Sequence, residues 1–122
     1  MYNIDLYETA SGFCEIREFL DSLRAKAGTN KDARIQLYQI TQYIELLQEN
    51  GTNLPTNFIK HLDEEIWELR PGNNRVFFFY YDNGTYVLLH HFRKKSQKTP
   101  PREIAKAKSE RIDYISRKET QK

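Results

Sequence analysis

Cysteine is nearly absent: Cys14 is the only one in 122 residues. No internal disulfide can form, and no multi-thiol zinc or iron–sulfur site can be built. Histidine is scarce too. His61, His90 and His91 are the full set, and the adjacent pair, if extended, points to opposite faces of a strand, so a three-histidine metal site is not expected. There is no run of about eighteen apolar residues, and Met1–Leu6 lacks the basic-then-apolar pattern of a secretory leader. The expectation is a soluble, cytoplasmic protein without membrane attachment. The five glycines form neither a phosphate-cradling loop after a strand nor a Gly-x-Ser-x-Gly elbow, which leaves nucleotide hydrolysis and acyl transfer by those routes without support. A reactive Cys14 near a helix start competes with the commoner packed thiol.

What the chain does contain is enough for a core. Hydrophobic residues are 39% and charged residues 30%, with Tyr 8 and Phe 7, which argues against disorder; the length fits one domain over residues 1–122. The net charge of +2 hides an asymmetry. From Arg93 to Lys122 there are 11 Lys+Arg and 4 Asp+Glu, net +7, leaving 8 and 13, net −5, before it. A concentrated positive segment attracts phosphate backbones; the alternative is a solvated basic helix with no polyanion partner.

Tyr2, Ile4 and Leu6 alternate with polar neighbours and predict a first strand. Ile16, Phe19, Leu20 and Leu23 form a helical stripe ending at Gly28. Thr29 and Asn30 can cap a second helix carrying Ala33, Leu37, Ile40, Ile44 and Leu47 up to Asn50-Gly51. That helix is apolar on more than one side and predicts two packing neighbours. After a loop with Pro55, Glu65–Arg70 alternates, Pro71-Gly72-Asn73-Asn74 is a turn, and Val76–Tyr81 is apolar on both faces, as in a central strand. Asp82-Asn83-Gly84 is a hairpin turn before the strand Thr85–Phe92. Thr99-Pro100-Pro101 offers a cap residue and a proline at the first position of an amphipathic basic helix. The order β-α-α-β-β-β-α predicts an α+β domain, a small antiparallel sheet with the helices on one face.

The chemistry gathers around the Pro71–Asn74 turn. Arg70 and Arg75 flank it, Glu68 lies on the same strand as Arg70, and His90, His91 and the run Arg93-Lys94-Lys95-Ser96-Gln97-Lys98 end the last strand. Arginine can grip a phosphate with two bonds, while lysine acts as a mobile point charge. RNA cleavage without a metal needs a proton acceptor for the 2′-hydroxyl, cations for the charge on phosphorus, and a proton donor for the leaving oxygen. Glu68 or a histidine can be the base, Arg and Lys the stabilisers, a histidine or lysine the acid. The plainer alternative makes Glu68 and Arg70 an exposed ion pair and His90 a core histidine.

Ile66-Trp67-Glu68-Leu69-Arg70, Asn74-Arg75-Val76-Phe77, Leu88-Leu89-His90-His91-Phe92-Arg93-Lys94-Lys95 and Thr99-Pro100-Pro101-Arg102-Glu103-Ile104-Ala105 together resemble the RelE/ParE toxin superfamily, in its HigB-like, phage-derived-protein branch. The likeness extends over nearly the whole chain. It implies a RelE-like fold and the toxin of a type II toxin–antitoxin system: a ribosome-dependent, metal-independent mRNA endoribonuclease without a cofactor, in which 2′-oxygen attack leaves a cyclic phosphate and a 5′-hydroxyl. The implied partners are a HigA-like antitoxin, often with a helix-turn-helix domain, the ribosome with its translated mRNA, and operator DNA through the antitoxin alone.

By position, the resemblance makes Arg75 the phosphate-contacting arginine and sets Lys94 and Lys95 near substrate or transition state. Arg70 belongs to the Glu-Leu-Arg strand of that branch, and Lys98 and Arg102 are implied ribosomal RNA contacts. Lys60, His61, His91 and Arg93 complete the candidate RNA- or ribosome-facing set. The chain departs from RelE itself in having Ile66 and Glu68 where RelE carries lysines, and it offers no clear counterpart to RelE's tyrosine near the C-terminal end. Glu68 and His90 are the candidate bases, with Lys60 and His61 behind them. Two other outcomes stay open: a ParE-like toxin that inhibits DNA gyrase without being a nuclease, and a degenerate, antitoxin-binding regulatory protein.

Overall fold

The computed structural model describes residues 1–96 and 98–121. Gln97 and Lys122, counted above in the basic C-terminal segment, lie outside the described residues. The order is β1 (Asn3–Leu6), α1 (Glu15–Ala27), α2 (Lys31–Asn50), β2 (Ile59–Asp63), β3 (Ile66–Leu69), β4 (Asn74–Asp82), β5 (Thr85–Arg93) and α3 (Pro101–Thr120). The strands form one five-stranded sheet, β1-β5-β4-β3-β2, with β1 parallel to β5 and the other neighbours antiparallel.

The α+β class and the order of the elements are those the residue pattern predicts, with two corrections of detail. The sheet is mixed and has an additional edge strand, β2. Within it only Ile59 is buried and the pairing slips between His61 and Asp63, so the apolar alternation is too short to announce a strand. The helices also do not share one face. Leu69, Val76, Phe78 and Leu88 join Ile16 of α1 and Leu47 of α2 in one core, while Ile66, Phe77, Phe79, Val87 and Leu89 pack under Ala107 and Tyr114 of α3 on the other. The physical reason lies in β4: Phe77, Phe78 and Phe79 are all fully buried, each stabilising the fold by about 1.5–3 kcal/mol, and a strand apolar on both faces needs two covers.

Local chemistry sets the helix ends. The Cys14 sulfur, at the N-cap of α1, accepts the Arg17 N–H at 3.4 Å, and Asn30 Oδ1 accepts the Ala33 N–H at 2.9 Å. The first is a packed thiol; the second satisfies an otherwise orphaned donor of α2. As its two-sided pattern requires, α2 packs on α1 through Ile40 and Leu23 and on the sheet through Leu47. It stops at Gly51, where φ is +60° and a Cβ would sit 2.9 Å from both a Tyr2 ring carbon and the Tyr86 hydroxyl. Only glycine meets both conditions. The start of α3 differs from expectation: Pro100 is the N-cap with no side-chain cap bond, and the Thr99 hydroxyl turns to Glu68 instead.

Polar contacts fasten the far end of α3. Tyr7 donates to Asp113 at 2.7 Å and Tyr114 to Asp5 at 2.5 Å, while Arg117 donates to Asp113 and to the Glu8 carbonyl. Burial and then the Asp113 carboxylate push the Tyr7 hydroxyl up to about 12, and burial followed by Asp5 raises Tyr114 as well.

Candidate functional site

The site lies at one end of the sheet, where β3 ends, β4 begins and β5 ends. The turn between β3 and β4 places Gly72 at φ +61°, beneath Gln39 of α2. Asn74 donates to Gln36 Oε1 at 2.9 Å, so α2 holds the turn from one side. From the other side of the sheet Glu68, 1% exposed, faces both arginines. Its Oε2 lies 3.5 Å from Arg70 Nε and 3.7 Å from Arg75 Nε, and its Oε1 accepts the Thr99 hydroxyl at 3.1 Å.

The two arginines are not equivalent. Arg75 is buried, and its Nη1 donates to the carbonyls of Gly72 and Asn74 at 2.9 and 2.8 Å. Burial lowers its basicity, while Glu68 acts in the opposite direction; a guanidinium stays charged throughout. Arg70 has 26% of its side chain exposed and donates Nη1 to the Thr56 carbonyl at 3.1 Å. Two guanidiniums on one carboxylate leave net positive charge at the surface, with Arg70 as its accessible part.

The end of β5 adds to that charge. The Lys94 N–H donates to the Asn73 carbonyl at 2.7 Å, tying the basic loop to the turn, and Asn73, Lys94, Lys95 and Ser96 line an open recess. A neighbouring cleft of about 440 Å³ is lined by Arg93, Lys95, Lys98 and Arg102 among others. Lys60 is exposed on β2 directly opposite Glu68 in the strand pairing.

The three histidines are not brought to this place. Val76 pairs with His91 and Phe78 with Leu88, so β5 carries one residue more than β4 across this step, a β-bulge. Leu89 and His90 therefore both turn toward α3, and His91 turns toward α1. His90 is fully buried, with Nδ1 2.5 Å from Glu110 Oε1 and Nε2 3.0 Å from Glu103 Oε1. A neutral ring has one N–H and one lone pair, so carboxylate oxygens on both nitrogens require one further proton, on the ring or on a glutamate. This histidine joins β5 to α3. His91 stacks on Phe19 with ring centroids 3.6 Å apart; burial pushes it down to about 4, and its Nδ1 has no partner among the described residues. His61 lies on the other side of the sheet from Glu68, against Trp67 at 4.8 Å, with Nε2 on the Glu64 carbonyl.

The structure thus joins Glu68, Arg70, Arg75, Lys60 and Lys94 around one turn, with Arg93, Lys95, Lys98 and Arg102 alongside, and separates all three histidines from them. Thr99, Glu103, Glu110 and Gln36 are the contributors that sequence reasoning missed. For Thr99 the signal was a proline-rich helix start, which directs attention to capping. The glutamates lie 13 and 20 residues from His90, a distance no local pattern covers. Chemically, the arrangement can hold an anion at an exposed guanidinium and the adjacent lysines, beside a carboxylate that already has partners.

A family model described as phage derived protein Gp49-like (DUF891) matches residues 18–111. The match spans well over half of the chain and contains every residue of the turn-centred cluster. No curated protein matches the chain.

Proposed function

The chain belongs to the Gp49-like family of phage-derived proteins, part of the RelE/HigB-like toxin group, and on that premise we propose that it is a HigB-like toxin of a type II toxin–antitoxin system that cleaves translated mRNA on the ribosome. The observation that carries the proposal is the pair Arg70 and Arg75 on one buried carboxylate at the edge of a lysine-rich cleft. Cations already oriented by the fold stabilise charge developing on phosphorus without reorganising during the reaction.

In this mechanism the scissile phosphate takes Arg70, flanked by Lys94 and Lys95, while Arg75 supports the turn from beneath. The phosphate competes with Glu68 for the Arg70 guanidinium, and a carboxylate that loses one cation becomes a better acceptor for the 2′-hydroxyl proton. The 2′-oxygen then bonds to phosphorus, the bond to the 5′-oxygen breaks, and a lysine ammonium protonates the leaving oxygen. Lys98, Arg102, Arg93 and Lys60 supply contacts to ribosomal RNA. A HigA-like antitoxin, bearing the operator-binding domain, is the proposed inhibitor.

One observation favours a second reading, a non-nuclease toxin such as a gyrase inhibitor: Glu68 has all its partners filled and His90 is closed off under α3. Induced expression in a susceptible bacterium, with mapping of new mRNA 5′ ends, separates the two. The nuclease gives growth arrest with new ends inside translated frames, both lost in Arg70→Ala. Arrest without new ends assigns the second reading, and absence of arrest with soluble protein present overturns both.

A further inference from the structure

The cleft of about 440 Å³ beside the turn is not wholly cationic. Phe92 and Glu103 line it together with Arg93, Lys98 and Arg102, and the function above gives neither Phe92 nor Glu103 a task. Phe92 is half-buried, and its ring stacks on the fully buried Phe77 with centroids 5.6 Å apart and planes 15° from parallel. It pairs with Arg75 across β4 and β5, so it stands beside the turn that carries both guanidiniums. An aromatic ring backed by the core in this way is a platform on which any nucleobase can stack. Glu103 is a more selective element. Its Oε1 lies 3.0 Å from His90 Nε2, and the other ring nitrogen lies 2.5 Å from Glu110, which fixes the carboxylate from within the core. Its Oε2 has no hydrogen bond among the described residues and a single long ion pair, 4.0 Å from Arg102 Nε.

A carboxylate among cations works against phosphate binding, so its place in the cleft calls for a ligand with donors. The cations draw in an RNA strand without reading its sequence, whereas an ionised carboxylate accepts only, at two oxygens side by side. Guanine alone among the four bases presents two adjacent donors on its Watson–Crick edge, the N1–H and the N2 amino group. Adenine and cytosine set one donor beside an acceptor, and uracil sets one donor between two acceptors. A carboxylate therefore pairs with guanine twice and meets a lone pair on adenine or cytosine. We propose that Phe92 and Glu103 form a nucleobase subsite selective for guanine, with the base stacked on Phe92 and its Watson–Crick edge on the Glu103 carboxylate. His90 is the positioning residue that holds Glu103 in place. The inference rests on the reading of this end of the sheet as the RNA-facing one, and it names the base that the site selects.

The test needs no ribosome. The isotope-labelled full-length protein is titrated into the millimolar range with the 5′-monophosphates of guanosine, adenosine, cytidine and uridine, and binding is read from the amide resonances of Phe92, Arg102 and Glu103. Guanosine monophosphate is expected to bind tightest, by roughly five- to tenfold over the others. In Glu103→Gln the side chain offers one acceptor and one donor, so the guanosine advantage disappears and adenosine monophosphate binds at least as well. Phe92→Leu keeps the apolar contact with Phe77 and weakens all four by roughly fivefold without changing their order. Both variants are verified as folded by circular dichroism; should Glu103→Gln not fold, the wild-type ranking and Phe92→Leu decide. Three results overturn the proposal: equal binding of the four nucleotides, which leaves a phosphate held by cations alone; resonance changes that avoid Phe92 and Glu103; or an undiminished guanosine preference in folded Glu103→Gln. Guanosine selectivity in a protein that cleaves no mRNA would keep the subsite and sink the nuclease, whereas cleavage by a protein that binds the four nucleotides alike would keep the nuclease and sink the subsite.

Discussion

At the turn-centred end, Glu68 is buried and lies between two guanidiniums and a hydroxyl, and Glu103 and Glu110 meet His90 under α3. Toward the opposite end of the sheet, where Tyr2, Tyr80 and Tyr86 gather, Glu49, Glu65 and Asp82 are exposed and form no ion pair among the described residues. The same residue types do different work. Buried carboxylates here orient other groups and leave the surface positive; exposed ones reach solvent instead. Strand direction produces the separation, because β3 and β5 run toward the basic turn-centred end and β4 runs back.

The contrast breaks first at Glu68. Its removal leaves Arg75 buried and unpaired, and breaking a buried pair from one side costs about 3–5 kcal/mol. Glu68→Ala is therefore expected to lower unfolding stability by that amount in denaturant titration. The double variant Glu68→Leu/Arg75→Met is expected to recover most of the loss, since no uncompensated charge remains. A single-variant loss below about 1 kcal/mol, the range of surface pairs, would place Glu68 with the exposed acids.

At the aromatic end the sharpest lever is steric. Gly51→Ala adds a Cβ at φ +60° against Tyr2 and Tyr86, with an expected cost of about 1–3 kcal/mol. Because the insult falls on Tyr2 and Tyr86, which line a recess with Trp67, Trp67 emission should shift in the folded variant, while the proposed Arg70-dependent activity stays within about twofold of wild type. A coupled loss of activity would show that the two ends are not independent.

Much of this layout was legible before folding. Helical stripes gave α1 and α2, the hairpin turn gave β4 and β5, and the proline-glycine turn was enough to bring Arg70 and Arg75 together. Phe77, Phe78 and Phe79 called for cover on both faces, yet the helices were expected on one, and it is α3 that supplies the second cover. The rest was hidden for physical reasons. Ile59–Asp63 has one buried residue, so β2 exists by pairing with β3 rather than by its own pattern. The bulge at Leu89 and His90 shifts side-chain phase without a marker such as glycine, and the carboxylates that enclose His90 come from a helix whose placement no local spacing encodes.

His91 sharpens the comparison through pH. Its folded value of about 4 lies below the ordinary 6.5 because burial disfavours the charged ring. The native state stays neutral while the unfolded chain takes up a proton, so this stabilising contribution is complete above pH 6.5 and is lost as pH falls toward 4. Unfolding curves across that window should flatten in His91→Phe, which keeps the stack on Phe19 and removes both the titration and the unpartnered Nδ1. An unchanged slope would assign the acid sensitivity to other groups.

The smallest expected effect is the most discriminating, because it matches the same kind of charge change at both ends. Lys95→Glu reverses an exposed cation beside the cleft and should weaken the proposed ribosome binding about tenfold, with a salt dependence shallower by about one phosphate contact. Asp82→Lys reverses an exposed anion at the far end and raises the net charge by as much as Lys95→Glu lowers it. If net charge governed docking, Asp82→Lys would strengthen binding by a comparable factor. If the oriented basic end governs it, screening over a separation longer than the Debye length leaves binding within about twofold of wild type at physiological salt. Salt titrations of both variants therefore decide whether the polarity of the fold, rather than its overall charge, selects the polyanion.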